Sequence, residues 1–178
     1  MISDTQMDIA DADIRHQIVA LLPDLRAFAR FLVRDRAAAD DVVQDSIVRA
    51  LGAISQFQPG TNLKAWLFTI LRNQFYEQAR RRKREATALQ ARLGEAEAAD
   101  PQQAAQADVT TDIKDLQRLI WRLPPSQREA LLLVGAQEMS HEEAAAICGV
   151  PVGTMKARLS RARSGLAVLM EGSRTDPA

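Results

Sequence analysis

The sequence predicts an all-α protein with two small helical domains joined by a flexible linker. Apolar residues recur three or four positions apart, whereas β-branched residues never alternate with polar ones over a useful length. Residues 85–112 are rich in Ala, Gln, Glu and Asp and divide two apolar sets. Near the C-terminus, a capped segment, a glycine turn and a basic segment follow one another, which predicts a helix-turn-helix. A length of 178 residues is enough for one ordinary domain or two small ones.

The first domain is predicted over residues 11–84, with three helices. The apolar spacing of the first helix is interrupted by Pro23. The second helix covers about residues 37–54, with Val43, Ile47, Ala50, Leu51 and Ile54 on its buried face. After the loop SQFQPGTN, Thr61 or Asn62 can cap a third helix over about 63–84. The predicted buried side of this third helix consists of Leu63, Trp66, Leu67, Ile70 and Leu71.

The second domain is predicted over residues 113–170. Ser126 is the predicted N-cap of a helix after the break LPPSQ. Ser140 and Glu143 have the spacing of a capping box, and Gly149 is placed to end the helix that they begin. A final helix then covers about residues 152–170.

The final helix predicts a DNA-binding face. Its apolar stripe consists of Val152, Met155, Leu159, Ala162, Leu166 and Leu169. The opposite side carries Thr154, Ala157, Ser160, Arg161 and Ser164, and the stripe is flanked by Lys156, Arg158 and Arg163. Small residues beside arginines permit close approach to base edges, and the second helix of a helix-turn-helix enters the major groove. The bland alternative, a solvated basic helix, is disfavoured because no acid lies between Val152 and Met170.

The formal net charge of zero conceals two basic segments. Residues 72–84 contain six basic residues against one acid, and residues 152–163 contain four against none. Between them, residues 85–115 contain seven acids against two bases. This segregation predicts two separate surfaces for anionic partners.

Composition and motifs disfavour several other classes of protein. The single cysteine, Cys148, permits no intrachain disulfide, and no apolar run approaches the roughly 18 residues of a membrane helix. The acidic N-terminus does not resemble a secretory signal, so we expect a cytoplasmic protein without a membrane partner. His16 and His141 fall in different domains, and HEEAA lacks the second histidine of HExxH. We therefore expect no enzyme activity, metal, cofactor or small-molecule substrate.

Three segments together resemble one family. SHEEAAAICGVPVGTMKARLSRAR is similar to the DNA-binding region of the extracytoplasmic-function (ECF) sigma factors of bacterial RNA polymerase. ADDVVQDSIVRAL resembles the segment by which these factors bind the polymerase clamp helices, and FQPGTNLKAWLFTILRNQFYEQARRRKR resembles their promoter-melting segment. Within the family, QREALLLVGAQ followed by EEAAAICG is most similar to the general-stress-response type of alphaproteobacteria.

The resemblance implies three surfaces and the residues that form them. The residues that the resemblance implies for polymerase binding are Asp41, Gln44, Asp45 and Arg49. Capture of a flipped base of the minus-ten element falls to Phe57, Asn62, Ile70, Asn73, Arg72 and Arg80. Recognition of the minus-thirty-five element falls to Thr154, Lys156, Ala157, Arg158, Ser160, Arg161 and Arg163. Trp66 is expected in the core, whereas Phe57 is either a loop plug or a contact to the base.

The implied partners are core RNA polymerase, promoter DNA and an anti-sigma protein. The acidic linker, residues 85–112, would pass through the polymerase, where it could mimic nucleic acid in a basic channel. One alternative is an independent repressor or activator, which leaves ADDVVQDSIVRAL and the first basic segment without a role. Another is a sigma mimic that titrates an anti-sigma protein, which is disfavoured by the intact arginines and the lack of room for a receiver domain.

Overall fold

The computed structural model describes the backbone of residues 4–93 and 111–174 and the side chains within 12–88 and 115–172. The chain divides into two compact units near residue 105, and each is described separately. All regular structure in the described ranges is helical. None of the described helices is apolar over a length that could cross a membrane.

The first unit contains three helices: α1 (Asp4–Leu32), α2 (Arg36–Gly52) and α3 (Leu63–Leu93). A short 3-10 turn, Ile54–Gln56, follows α2. The side chain of Asp35 caps α2 by accepting from the Ala38 backbone N–H at 2.7 Å. The apolar sides of the helices close one core, in which Phe28 of α1 packs on Phe68 of α3 with ring centroids 5.1 Å apart.

Two predictions for this unit need correction. Leu51 is 42% exposed, because the buried face of α2 is Ala39, Val42, Val43, Ser46 and Ala50. The third helix does not end near Arg84 but continues to Leu93. From the sequence, either Thr61 or Asn62 could be the N-cap of α3. Asn62 caps it, because its Oδ1 accepts from the Ala65 N–H at 3.1 Å, whereas the Thr61 hydroxyl donates to the Gln58 carbonyl.

The second unit contains α4 (Thr111–Arg122), α5 (Pro125–Ala130), α6 (His141–Cys148) and α7 (Val152–Arg174). Pro124 is the N-cap of α5, so the prediction that Ser126 caps this helix is wrong. The chain continues from α5 through a wider π-helical segment, Leu131–Ala136, and leaves it through Glu138, whose φ of 56° is left-handed. Leu133, Met155 and Ala162 are completely buried in the core of this unit.

Candidate DNA and polymerase interfaces

α6 and α7 form the predicted helix-turn-helix. Both halves of the capping box are present, since the Ser140 hydroxyl accepts from the Glu143 N–H at 3.1 Å and the Glu143 carboxylate accepts from the Ser140 N–H at 2.8 Å. Gly149 ends α6 at φ 65°, in the left-handed region that favours glycine. Pro151 then precedes α7. The turn therefore has the chemistry that the sequence predicts.

The outward face of α7 is polar and cationic. Met155, Leu159 and Ala162 are buried on the inner side, and Val152, Leu166 and Leu169 are half-buried along the same stripe. Lys156, Ser160, Arg161, Arg163 and Ser164 are exposed, whereas Thr154, Ala157 and Arg158 are half-buried. Among the side chains that the structure describes, the four cations of α7 form no ion pair. Their charge is therefore available to an external anion.

Arg128 attaches α5 to the end of α4 behind this helix-turn-helix. Only 8% of the residue is exposed. Its guanidinium donates to the carbonyl oxygens of Ile120, Trp121 and Leu123 at 3.3, 3.0 and 3.0 Å, and lies 3.9 Å from the centre of the Trp121 ring. The last carbonyls of a helix lack the usual donor four residues on, so Arg128 donates to them, and the Leu123 N–H also donates to the Ile120 carbonyl at 3.1 Å. This role was not predicted from the sequence, because the position of Arg128 in QREALLL does not reveal that the side chain is buried.

The loop before α3 and the first half of that helix form the candidate base-binding region. Phe57 is only 9% exposed and packs on Trp66, with ring centroids 5.3 Å apart. The Phe57 side chain therefore packs beneath the loop as a buried residue, and Trp66 is half-buried beside it. Ile70 is half-buried and Asn73 is exposed one turn further along α3. The apolar wall and the amide that a flipped base requires therefore lie on the same helix.

The middle of α3 carries a polar and cationic stripe. Asn73, Tyr76, Arg80 and Lys83 follow one another at three- and four-residue spacing, which places them along one side of the helix. The Arg72 guanidinium lies 4.6 Å from the centre of the Tyr76 ring. Tyr76 was not predicted from the sequence, although its three-residue spacing from Asn73 was the available signal. A cation beside an aromatic ring is a combination that single-stranded nucleic acid uses for stacking and backbone contact.

Within the basic segment, residues 72–84, Arg81 forms an ion pair with another residue of the chain. Arg81 donates from Nε to Glu85 at 2.8 Å on the exposed surface of α3. The hydrogen bond and the negative charge of Glu85 raise the pKa of Arg81. Arg80, Arg82, Lys83 and Arg84 are exposed, and within the described side chains they form no ion pair. Most of the positive charge of the basic segment is therefore accessible to an anionic partner.

The predicted polymerase-binding residues on α2 fall into two groups. Asp41 and Gln44 are exposed. The same face continues with two apolar side chains, Val48 at 66% and Leu51 at 42% exposure. In contrast, Asp45 and Arg49 form contacts with α3. A polar end next to exposed apolar side chains is typical of a surface that binds another protein.

Comparison with known proteins identifies the family. Residues 18–85 match the model for sigma-70 region 2, and residues 113–166 match the model for sigma-70, region 4. The chain is 45% identical over 164 residues to the ECF RNA polymerase sigma factor EcfG of Rhodopseudomonas palustris (strain TIE-1), covering 92% of this chain and 88% of the relative. The chain is an ECF sigma factor. It is thus a transcription initiation factor that acts with core RNA polymerase at promoters, and not an enzyme.

Two solved sigma factors share its fold. The sigma factor RpoE of Bartonella quintana, solved in complex with the anti-sigma factor NepR, has a TM-score of 0.74 and 43% identity, and the match covers 89% of this chain and 97% of that one. CnrH, solved in complex with the cytosolic domain of CnrY, has a TM-score of 0.63 and 28% identity, covering 89% and 88%. The likeness to EcfG and RpoE confirms the predicted similarity to the alphaproteobacterial general-stress-response type.

The family membership argues against one alternative raised by the sequence, an independent repressor or activator. A repressor or activator with only a helix-turn-helix does not account for the region 2 match over residues 18–85. The α2 face and the basic half of α3 both lie within that match. In an ECF sigma factor, the α2 face, the basic part of α3 and the outward face of α7 are each expected to bind polymerase or promoter DNA.

Proposed function

We propose that this ECF sigma factor acts in the cytoplasm with three separate surfaces. The outer face of α2, with Asp41 and Gln44 beside Val48 and Leu51, binds core polymerase. The loop before α3 and the polar stripe of α3 capture a flipped base of the minus-ten element and the adjacent strand. The outer face of α7 reads the minus-thirty-five element. In this assignment, residues 11–84 and 113–170 are the two functional domains.

The observation that carries this proposal is the charge on α7. Lys156, Arg161 and Arg163 are exposed on a helix whose opposite side is completely buried at Met155 and Ala162. A surface helix needs an apolar face for packing, but packing gives no reason for unpaired cations on the other face. Phosphate contacts supply affinity, and contacts from Ser160 and Ala157 to base edges supply preference.

The likeness to RpoE and CnrH supports anti-sigma control. Both relatives were solved with an anti-sigma partner. In this chain such a partner would cover exposed apolar side chains, and Val48 and Leu51 on the α2 face are suited to that contact. The same cover would exclude polymerase. The likeness to EcfG and RpoE supports a role in a stress response.

Run-off transcription with core polymerase tests the proposal. We expect the double variant Lys156→Ala/Arg161→Ala to lose at least about tenfold of the transcript from a promoter with both elements, since each good base or phosphate contact contributes about 1–3 kcal/mol. Arg122→Ala, which removes an exposed cation from α4, is the control and should leave the transcript unchanged. Equal transcript from both variants would mean that α7 does not read the promoter.

A further inference from the structure

The apolar anchorage of α3 stops before its DNA-facing stripe begins. Leu63, Leu67, Phe68 and Leu71 are buried in the core of the first unit. From residue 72 to residue 88, no described side chain of α3 is buried, and all those from 79 onward are exposed. The stripe that begins at Asn73 therefore extends from the end of the core, where side chains are half-buried or exposed, so burial holds it less firmly than it holds residues 63–71.

Polar contacts between α2 and α3 occupy the stretch where burial ends. Arg49 Nη1 donates to Gln74 Oε1 at 2.9 Å and to Glu77 Oε2 at 3.1 Å. One turn earlier on α2, Asp45 Oδ2 accepts from Gln78 Nε2 at 2.8 Å. We name these five residues the α2–α3 polar cluster. Each helix contributes residues from a single face, because 45 and 49 are four apart and 74, 77 and 78 are three and four apart.

The cluster lies on a different side of α3 from the polar stripe. At about 100° per residue, Asn73 and Arg80 project roughly a third of a turn away from the side that faces α2. Rotation or bending of α3 about this contact would therefore redirect the whole stripe. Three hydrogen bonds from two residues of α2 resist that movement, and one of them is charge-assisted on both sides.

We infer that Arg49 and Asp45 are positioning residues, which orient the DNA-facing stripe of α3 relative to the polymerase-binding face of α2. This inference rests on the proposed function of those two surfaces and changes the role of two residues within it. The resemblance implies that Arg49 and Asp45 contact polymerase directly. The structure instead directs their polar atoms to α3, which leaves Asp41, Gln44, Val48 and Leu51 to contact the partner.

Because the cluster is exposed, its effect on the orientation of α3 can be distinguished from its effect on the stability of the fold. The Arg49 and Glu77 side chains are 58% and 60% exposed. Exposed ion pairs contribute little to global stability. Loss of the cluster should therefore leave the unfolding temperature nearly unchanged but alter the direction of α3, and promoter opening requires that the strand-binding groups be correctly placed.

A charge exchange tests the inference in the full chain. The variants are Arg49→Glu, Glu77→Arg and the double exchange, in which a carboxylate at 49 can again pair with a guanidinium at 77. The readouts are the Kd for core polymerase, the permanganate reactivity of promoter thymines in the open complex, and the unfolding temperature. We expect each single variant to reduce open-complex yield by about three- to fivefold with an unchanged Kd, and the double exchange to recover most of that yield.

Two results would overturn the inference. One is that Arg49→Glu weakens polymerase binding and the double exchange does not restore it, which would make Arg49 a direct contact. The other is that the single variants open the promoter as well as the unmodified chain does. Gln44→Ala serves as the comparison on the same helix, since it should weaken polymerase binding whatever residue stands at 77. Failure of the unmodified chain to bind polymerase or open the promoter would contradict the proposed function instead.

Discussion

At the scale of single residues, the second unit depends on a buried arginine that lies outside the helix-turn-helix. Arg128 satisfies three carbonyl oxygens at the end of α4 and stacks on Trp121. A buried carbonyl that loses its donor has no water to replace it. The planar, forked guanidinium can reach several carbonyls at once, which an ammonium group cannot do with the same geometry. Arg128 thus connects α4 to the helices that carry the helix-turn-helix.

We predict that Arg128→Met destabilises the second unit by about 3 kcal/mol, because it removes the guanidinium donor from the Trp121 and Leu123 carbonyls, whereas the Ile120 carbonyl keeps the Leu123 N–H. Arg128→Lys should lose most of the same stability, since it keeps the charge but not the fork. The measurement is urea unfolding of the full chain followed by circular dichroism. Arg122→Met removes an exposed arginine from the same helix end and should change the free energy of unfolding by no more than about 0.5 kcal/mol. An unaltered transition for Arg128→Met would contradict the capping role.

Two glycines of α7 give a second prediction at this scale. A Cβ added at Gly153 meets nothing within 4 Å, whereas one added at Gly165 comes within 3.1 Å of Leu123 Cδ2. Alanine is favoured over glycine in a helix by about 1 kcal/mol. At Gly165 that gain is opposed by displacement of Leu123, which is buried. We expect the free energy of unfolding of Gly153→Ala to exceed that of Gly165→Ala by about 1 kcal/mol or more. Equal values in urea unfolding would show that Leu123 moves at no cost.

At the scale of elements, α6 is a short helix that depends on its ends. It has eight residues, too few to be stable by propensity alone. The capping box at one end and the left-handed Gly149 at the other satisfy backbone groups that would otherwise have no partner. Four of its residues are buried, so packing supplies the remaining stability.

We predict that Ser140→Ala lowers the free energy of unfolding by about 1 kcal/mol, because the Glu143 N–H loses its acceptor. Glu143→Gln is the matched control. Glutamine can still accept from the Ser140 N–H, so this variant should lose only a fraction of that amount. Thermal unfolding of both variants provides the measurement. A larger loss in Glu143→Gln than in Ser140→Ala would indicate that the carboxylate has a role beyond the cap.

The elements that the sequence predicts well are those with strong local signals. The capping box, Gly149 and the apolar stripe of α7 lie where the residue pattern places them. The end of α3 was missed because Ala, Gln, Arg and Glu over residues 85–93 favour a helix that has no buried face to reveal it. Ser126 was misplaced because a proline at the first helical position also begins a helix.

The candidate sites were predictable in composition but not in their contacts. The basic faces of α3 and α7 follow from charge and helical spacing. The contacts of Asp45 and Arg49 with α3 could not be predicted in this way. They join residues 25 to 33 positions apart and depend on how the helices cross. The burial of Phe57 against Trp66 likewise depends on the path of the loop. The proposed acidic role of residues 85–112 falls largely outside the described residues.

At the scale of the whole molecule, a formal net charge of zero combines with two concentrated basic surfaces. Zero net charge gives little general attraction to DNA, so binding depends on presenting the basic surfaces together to one promoter. The two units each carry one such surface. Attachment to polymerase would place both near the same DNA and raise the effective concentration of the second contact after the first forms.

This arrangement predicts how the affinity of the polymerase complex for promoter DNA depends on salt. Each phosphate contact that is lost should reduce the slope of log K against log salt by about 0.9 on duplex DNA. We therefore expect Lys156→Gln/Arg163→Gln to reduce the slope by about 2 on a duplex containing the minus-thirty-five element. On a fragment with only a single-stranded minus-ten element, the same variant should match the unmodified chain, whereas Arg80→Gln should bind more weakly. Fluorescence anisotropy over a series of salt concentrations measures both slopes. If the α7 variant reduced the slope equally on both DNAs, the two basic surfaces would not have separate targets. The proposal that each unit binds a different promoter element would then be wrong.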